Sequence, residues 1–449
     1  MRKLLLVFCS LVLLVVYLPT ITKADEELPY PTERMAYPNE VNVSVYLATS
    51  VSVSINGNYQ LHNRDTGEVT PIPRGTSITA IKDAGHVSVT VDGHTYNSSK
   101  GFDIQELAAD QLSLLRLNNG ITYRGSLFLK PNGSKIETIN ILGMEDYLKG
   151  VVPSEMPASW HKEALKAQAI AARSYAANSM SLTSTAASQV YRGYSGEDAR
   201  TNTAIKETEG LLVKHNGKPI QAFFFSTSGG RTANVGDVWN SNQKNFPYLV
   251  SVDDPYESSP YSNWSETFTA ETLLKSFGFT DLTAQIYDVT LSKTGANGEV
   301  RGVTLKTSAG DKTITGNEAV IRKLFPLASS NLYNQLYSNW FDIQLNGAAS
   351  LHDLSVQTSS GTTSIGDLKG QKVQTANGEV TLNDSNVSIQ TSNGILQNEG
   401  TGITSVTLHG KGWGHRIGMS QYGAKGFAER GWTAEQILTH YFQGTVVSR

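Results

Sequence analysis

The run from Ser159 to Ala177, SWHKEALKAQAIAARSYAA, constrains this chain more than any other stretch. It contains no glycine or proline and is dominated by alanine, the strongest helix former, so a helix is predicted over it. Leu165, Ala169, Ala172 and Ala176 recur at helical spacing and make one face of small side chains. A helix with such a face is built to be approached closely by its neighbours. Lys166 and Arg173, seven residues apart, share a different face. That pair either orients a ligand or forms a solvated, salt-bridged surface, and the local sequence leaves both readings open.

Immediately ahead stands Val151-Val152-Pro153-Ser154-Glu155-Met156-Pro157. Proline fixes its own φ and restricts the residue before it, so Glu155 is flanked by two stiff points. The expectation is a rigid loop that aims one carboxylate; an exposed loop acid is the plainer alternative.

The N-terminus carries Arg2 and Lys3, then an apolar run from Leu4 to Leu18 broken only by Ser10, then Thr22-Lys23-Ala24. This is the layout of a secretory signal peptide over residues 1–24, with a retained membrane anchor as the alternative. Either way the body is expected outside the cytoplasm, secreted to the wall or tethered to the outer membrane face. Cys9, the sole cysteine of the chain, lies in that segment, so the body has no disulfide to lean on. Removing Arg2, Lys3 and Lys23 from the 37 basic residues leaves 34 against 40 acidic ones. A net negative body without a basic stripe argues against nucleic acid as a partner. The nine histidines form no HExxH pair, and no phosphate loop is present, so neither metal nor cofactor is expected.

Residues 25–39 read as a linker. From Val41 the pattern alternates (Val41, Val43, Val45, Leu47), and further strand signals run through Ile78, Ile81, Val87, Val89 and Val91. Leu127 and Leu129, Pro131-Asn132-Gly133, then Ile136, Ile139 and Ile141 predict a hairpin. Residues 40–145 are thus β-rich and run without a linker into the Glu155 stretch. Later, Leu211–Lys214 and Ile220–Phe225 flank His215-Asn216-Gly217-Lys218 as a second hairpin. It leads into Ser226-Thr227-Ser228-Gly229-Gly230-Arg231-Thr232. Small hydroxyls and paired glycines suit a surface approached by a ligand, or simply a tight turn. Short helices are predicted over Thr269–Phe277 and Glu318–Leu324, with strands at Val289–Leu291 and Val300–Leu305.

Between Phe341 and Trp413 there is no Phe, Tyr or Trp. Within that span Gln357-Thr358, Gln374-Thr375 and Gln390-Thr391 each run towards a glycine, in copies 17 and 16 residues apart. They predict successive β-hairpins in an insertion over 343–400. The C-terminal block, Gly410-Lys411-Gly412-Trp413-Gly414-His415-Arg416-Ile417-Gly418-Met419-Ser420-Gln421-Tyr422-Gly423-Ala424, is dense in glycine and reads as a polar binding surface or a Gly-rich connection. Thr433–Phe442 reads as a capped helix. A serine nucleophile elbow fails in this block because Tyr422 stands where a glycine is needed.

Three of these blocks are recognisable. Asp146–Pro157 with Ala164–Ala169 resembles the opening of the SpoIID/LytB domain, the family of stage II sporulation protein D and LytB-type amidase enhancers. Ser226–Thr232, Val238-Trp239, Tyr248-Leu249 and Val252–Tyr256 resemble its second block, and Gly410–Ala424 its closing motif, with Arg416 where the family usually has glycine. The resemblance covers residues from about 120 to the end, apart from the insertion. It implies an α+β fold: one β-rich mixed body over 40–449, with the Ala-rich helix beside the catalytic loop. It implies a peptidoglycan lytic transglycosylase acting on peptide-stripped glycan strands, in sporulation or wall remodelling. Carried over by motif, Glu155 is the catalytic acid, and Lys166, Arg173, Ser226, Ser228, His415 and Gln421 bind substrate. Trp239, Tyr256, Tyr261 and Trp264 either stack on sugars or pack in the core. The implied partners are glycan strands and, in the alternative reading of a non-catalytic LytB-like enhancer, a cell-wall amidase. A purely structural engulfment component is the third reading.

Overall fold

The computed structural model describes residues 33–108, 112–179, 182–327, 334–347 and 402–449, together with paired strands between 354 and 397. The expected signal peptide or anchor lies outside the described residues. Among those described, no helix is long and apolar enough to cross a membrane. Residues 33–39, expected as linker, are tied to the body. Arg34 bridges to Leu107, and the Tyr37 hydroxyl donates to Glu106 at 2.7 Å.

The fold is α+β, as expected, and its strands gather around three packed cores. The first contains two sheets. One has seven strands in the spatial order Leu182–Thr183, Glu40–Ala48, Lys135–Gly143, Ser126–Asn132, Phe102–Glu106, Tyr59–Asn63, Val69–Ile72. The other has six: Thr122–Tyr123, Leu114–Leu117, Ser50–Asn56, Ser77–Asp83, His86–Val91, His94–Ser98. Alternation drives their burial: Val41, Val43, Val45, Val51, Val53, Val87, Val89 and Val91 all point inward. The hairpin around Gly133 forms with Leu129 facing Thr138 in register.

Helix α1, Met144–Glu155, continues directly from the last of these strands. This corrects the expected loop. Tyr147, Leu148, Val151 and Val152 bury one side of the helix, a helical period that Pro153 and Pro157 concealed. Pro153 sits in the last turn, and Pro157 disfavours helical backbone at Met156, which is extended at φ −126° and ψ 136°. Glu155 is therefore the final helical residue.

Helix α2, Lys162–Asn178, is the predicted Ala-rich element. His161 caps it, its ring nitrogen accepting from the Glu163 N–H. Its small-residue face packs against the first core, and Ala164, Leu165, Ala167 and Ile170 enter the second. That second core also takes α3, Ala199–Glu207, the short α4, Val235–Val238, and two C-terminal helices.

The third core holds a sheet of Trp264–Thr269, Ile403–Gly410, Ile286–Thr294, Glu299–Thr307 and Lys312–Thr315, with Phe341–Gly347 also paired to Ile403–Gly410. Helices α5, Ala270–Ser276, and α6, Glu318–Lys323, cover it. Between Phe341–Gly347 and Ile403–Gly410 the chain forms three antiparallel strand pairs: Leu354–Thr358 with Gly361–Ile365, Lys372–Thr375 with Gly378–Thr381, and Ser388–Thr391 with Gly394–Gln397. The turn residues of all three repeats lie outside the described residues. The C-terminal helices are α7, Gln421–Ala428, and α8, Ala434–Tyr441; α8 is the expected capped helix, and its N-terminus is held by a capping box of Thr433 and Gln436.

Candidate active site

The end of α1, the segment Phe223–Ser226, the loop Trp413–His415 and the start of α7 line one cleft of about 670 Å³. Backbone pairing brings these distant segments together. Phe224-Phe225 lies parallel to Met419-Ser420. Thr227 and Trp413 exchange two backbone hydrogen bonds, at 3.1 and 2.8 Å. Gly229 permits that approach: a Cβ there would lie 2.6 Å from Lys411 Cβ.

Glu155 Oε1 accepts the Val190 N–H at 2.7 Å, and Oε2 accepts from Gln421 Nε2 at 3.3 Å. Val190 itself is held in place. Its neighbour Gln189 accepts from the Tyr147 hydroxyl and donates to Ala172 O, and Tyr191 donates to Asn140. Helix α1 lies flush on this segment because Gly150 has no side chain; a Cβ there would meet the Tyr191 ring at 2.6 Å. Burial raises the Glu155 carboxyl above the usual carboxylate range, while the Val190 and Gln421 donors pull it partly back. Neither Lys166 nor Arg173, expected to bind substrate, lines this cleft.

Lys166 pairs with Glu163 at 2.9 Å and Glu207 at 3.8 Å and does not line the cleft. Arg173 is 2% exposed and grips Glu145 with two hydrogen bonds of 2.8 and 2.7 Å, adding Leu211 O at 3.1 Å. Its charge is spent joining α1 to the 205–211 region. Ser228 is fully buried and also lies outside the cleft lining. The N–H groups of Ser228 and Gly229, expected to face a ligand, donate instead to the Glu257 carboxylate.

Ser226, His415 and Gln421 do line the cleft with Glu155. His415 Nδ1 accepts the Ile417 N–H at 3.1 Å, and burial among Phe223, Phe225 and Trp239 lowers its pKa to about 4. It is a neutral imidazole at physiological pH. Gln421 Nε2 also reaches Gln168 Oε1 at 3.4 Å, so it bridges α2 to the Glu155 carboxylate.

Arg416, the departure from the family glycine, adopts φ +62°, a left-handed conformation that favours glycine. Its guanidinium is buried, donates to Ser228 O and Arg231 O at 3.0 and 3.1 Å, faces Glu299 at 3.4 Å, and lies over the Trp340 ring. It neither narrows the cleft nor lines it; it fastens the closing motif to the second block and the third core.

Of the aromatics considered for sugar stacking, Trp239 lines the cleft. Tyr256 packs on Phe427, and Tyr261 and Trp264 pack around Trp413 and Tyr337. Trp413, Tyr175, Val190, Glu318 and Arg322 line the cleft unforeseen. The i, i+4 spacing of Glu318 and Arg322 was legible as an ion pair, but nothing local said that α6 would abut the Trp413–His415 loop.

Residues 132–215 match the SpoIID family, described as "Stage II sporulation protein". The chain is 30% identical over 417 residues to the "Amidase enhancer" of Bacillus subtilis (strain 168), an alignment covering 80% of this chain and 55% of that protein. The chain thus spans about half the length of that relative. It is 28% identical over 336 residues to "Stage II sporulation protein D" of the same organism, covering 70% of this chain and 76% of the other. The Bacillus amyloliquefaciens protein of that name is 27% identical over 335 residues, covering 69% and 76%. The motif blocks, the cleft they build and these alignments make the chain a member of the SpoIID/LytB family.

Proposed function

We propose that the protein is an extracytoplasmic cell-wall enzyme, a lytic transglycosylase that cleaves MurNAc–GlcNAc bonds of peptide-stripped glycan strands. The observation that carries this reading is a single carboxyl, Glu155, biased towards its protonated form in a cleft walled by all three motif blocks. A general acid working near neutral pH needs that bias. Glu155 donates its proton to the glycosidic oxygen as the bond to the MurNAc C1 breaks. The C6 hydroxyl of the same sugar then attacks C1 and returns its proton to the Glu155 carboxylate, giving a 1,6-anhydro end. No water attacks, so the second carboxylate of a hydrolytic glycosidase is not required. Once the proton has left, the Val190 N–H and the Gln421 amide stabilise the carboxylate. The rings of Trp239 and Trp413 offer stacking surfaces for sugar faces.

The test is mass spectrometry of purified denuded glycan after incubation with the protein alone. Anhydro ends are expected, reduced about 10²-fold or more by Glu155→Gln. Undiminished release by that variant refutes the assignment. The name of the Bacillus subtilis relative favours a second reading, a glycan-binding enhancer of an amidase. Tight glycan binding with no anhydro ends, and faster amidase action on addition of the protein, would select it.

A further inference from the structure

Arg322 is the sole lysine or arginine among the described residues lining the cleft, where it stands with two acids, Glu155 and Glu318. His415 adds no charge, being held neutral. A cation 7% exposed is costly unless its donors are used. Arg322 uses only part of its fork: Nε donates to Leu336 O at 2.8 Å and Nη1 to Glu318 Oε2 at 2.9 Å. Among the described residues Nη2 makes no hydrogen bond, and a guanidinium has five N–H groups to place. The Leu336 carbonyl and the Glu318 carboxylate fix the plane of the guanidinium, so the unused edge is preset. Planar, preset guanidinium edges bind carboxylates.

Resting on the transglycosylase reading above, we infer that Arg322 is a subsite for the lactyl carboxylate of a muramic-acid residue. The chemistry of the substrate makes this discriminating. A muramic acid freed of its peptide ends its lactyl ether in a carboxylate. A peptide-bearing one ends in an amide, which is neutral and carries no oxygen pair for the guanidinium edge. An N-acetylglucosamine has no such group at all. In a cleft holding two acids, an anionic sugar binds only where a cation offsets them, and Arg322 is placed to do so. Arg322 thereby reads both the type of sugar and its peptide-free state. Glu318 opposes it: its negative charge shares the same guanidinium and weakens the hold on a second carboxylate.

The experiment uses the full chain carrying Glu155→Gln, so that bound glycan is not consumed, with two soluble probes. One is short glycan strands with free lactyl carboxylates; the other is the same strands after carbodiimide coupling to methylamine. Amidation is expected to raise the dissociation constant about 10-fold, the loss of one charge-assisted contact. Adding Arg322→Gln should weaken the carboxylate probe by the same factor and leave the amidated probe unchanged. Adding Glu318→Gln keeps an acceptor for Nη1, and should tighten the carboxylate probe alone. A purely structural Arg322, holding Leu336 in place, would instead weaken both probes equally, and that result overturns the inference. If Arg322→Gln does not fold, an unchanged probe preference in Glu318→Gln overturns it. Equal binding of both probes, with anhydro ends still produced by the parent protein, overturns the subsite and leaves the transglycosylase reading standing. Binding of neither probe overturns both.

Discussion

Replacing Gln421 with methionine keeps the length of the side chain and deletes its amide. Gln421 supplies one of the two donors that Glu155 finds among the described residues, at 3.3 Å, while the Val190 N–H at 2.7 Å is untouched. A hydrogen bond to a charged group contributes about 1.5–3 kcal/mol, and one this long belongs at or below the lower end. Its loss disfavours the ionised form, so the Glu155 pKa rises further; about 1 kcal/mol corresponds to about 0.7 of a pH unit. In the reaction proposed above Glu155 is a general acid, active only while protonated, so activity falls as pH rises through that pKa. Gln421→Met should therefore move the alkaline limb of the kcat profile upward by about half to one pH unit. The acidic limb should stay in place. The assay is initial release of anhydro ends from denuded glycan across the pH range, in constant ionic strength. An alkaline limb that does not move, or moves down, refutes the idea that Gln421 acts on the proton of Glu155. A uniform drop at every pH would instead return Gln421 to the substrate-binding role expected from the sequence. Gln168 offers a second handle. It is buried, its Oε1 accepts from Gln421, and its Nε2 has no partner among the described residues. Gln168→Met should shift the same limb in the same direction, by less.

Three further outcomes follow from the buried charges. Glu155→Gln should leave the melting temperature near neutral pH unchanged or raised, because it removes a carboxyl that burial pushes towards neutrality; differential scanning calorimetry reads it, and a drop would count against that burial. Asp254 is fully buried, accepts from the Tyr441 hydroxyl at 2.8 Å, and is raised to about 6, first by burial and then by Glu257. Its folded pKa lies above its unfolded value, so its stability contribution is full below about pH 4 and is lost as pH rises through about 6. Asp254→Asn should flatten that part of the stability-versus-pH curve, by on the order of 2 kcal/mol in urea titrations at pH 4 and 7. Arg416→Gly relieves a left-handed backbone by about 1 kcal/mol but takes the facing cation from Glu299, which is fully buried and then keeps the Asn297 amide as a donor. A net loss of about 2–4 kcal/mol is expected by chemical denaturation, partly restored when Glu299→Gln is added.

Alternation at Val41–Val45 and the alanine run of α2 are local signals, and the corresponding elements form where their periods place them. At the end of α1 the two prolines mask the helical period, which lies in the buried stripe of Tyr147, Leu148, Val151 and Val152. Proline is tolerated there because Pro153 occupies the last turn and the helix stops two residues on. Lys166 and Arg173 looked like site cations; Lys166 is held by Glu163 one turn back on its own helix and by Glu207, and Arg173 by Glu145 of α1, a partner that no local spacing signals. The reverse holds for Arg322, which α6 carries into the cleft from a segment with no motif of its own. The closing motif shows the same division. Its glycines announced tight backbone, but they gave no sign that Arg416, strained at φ +62°, adds side-chain contacts to Ser228, Arg231 and Glu299 beside the backbone pairing. Strain of that kind persists only where surrounding contacts hold it. A glycine would adopt the same turn freely and give up these side-chain contacts, keeping the backbone bonds of Trp413 with Thr227, of Gly414 to Tyr337 O and of Ala233 to Arg416 O. In this chain the turn is strained and its side chain is a buried clamp: Arg416 ties the backbone next to His415 to Ser228 and Arg231 of the second block and to Glu299 of the third core.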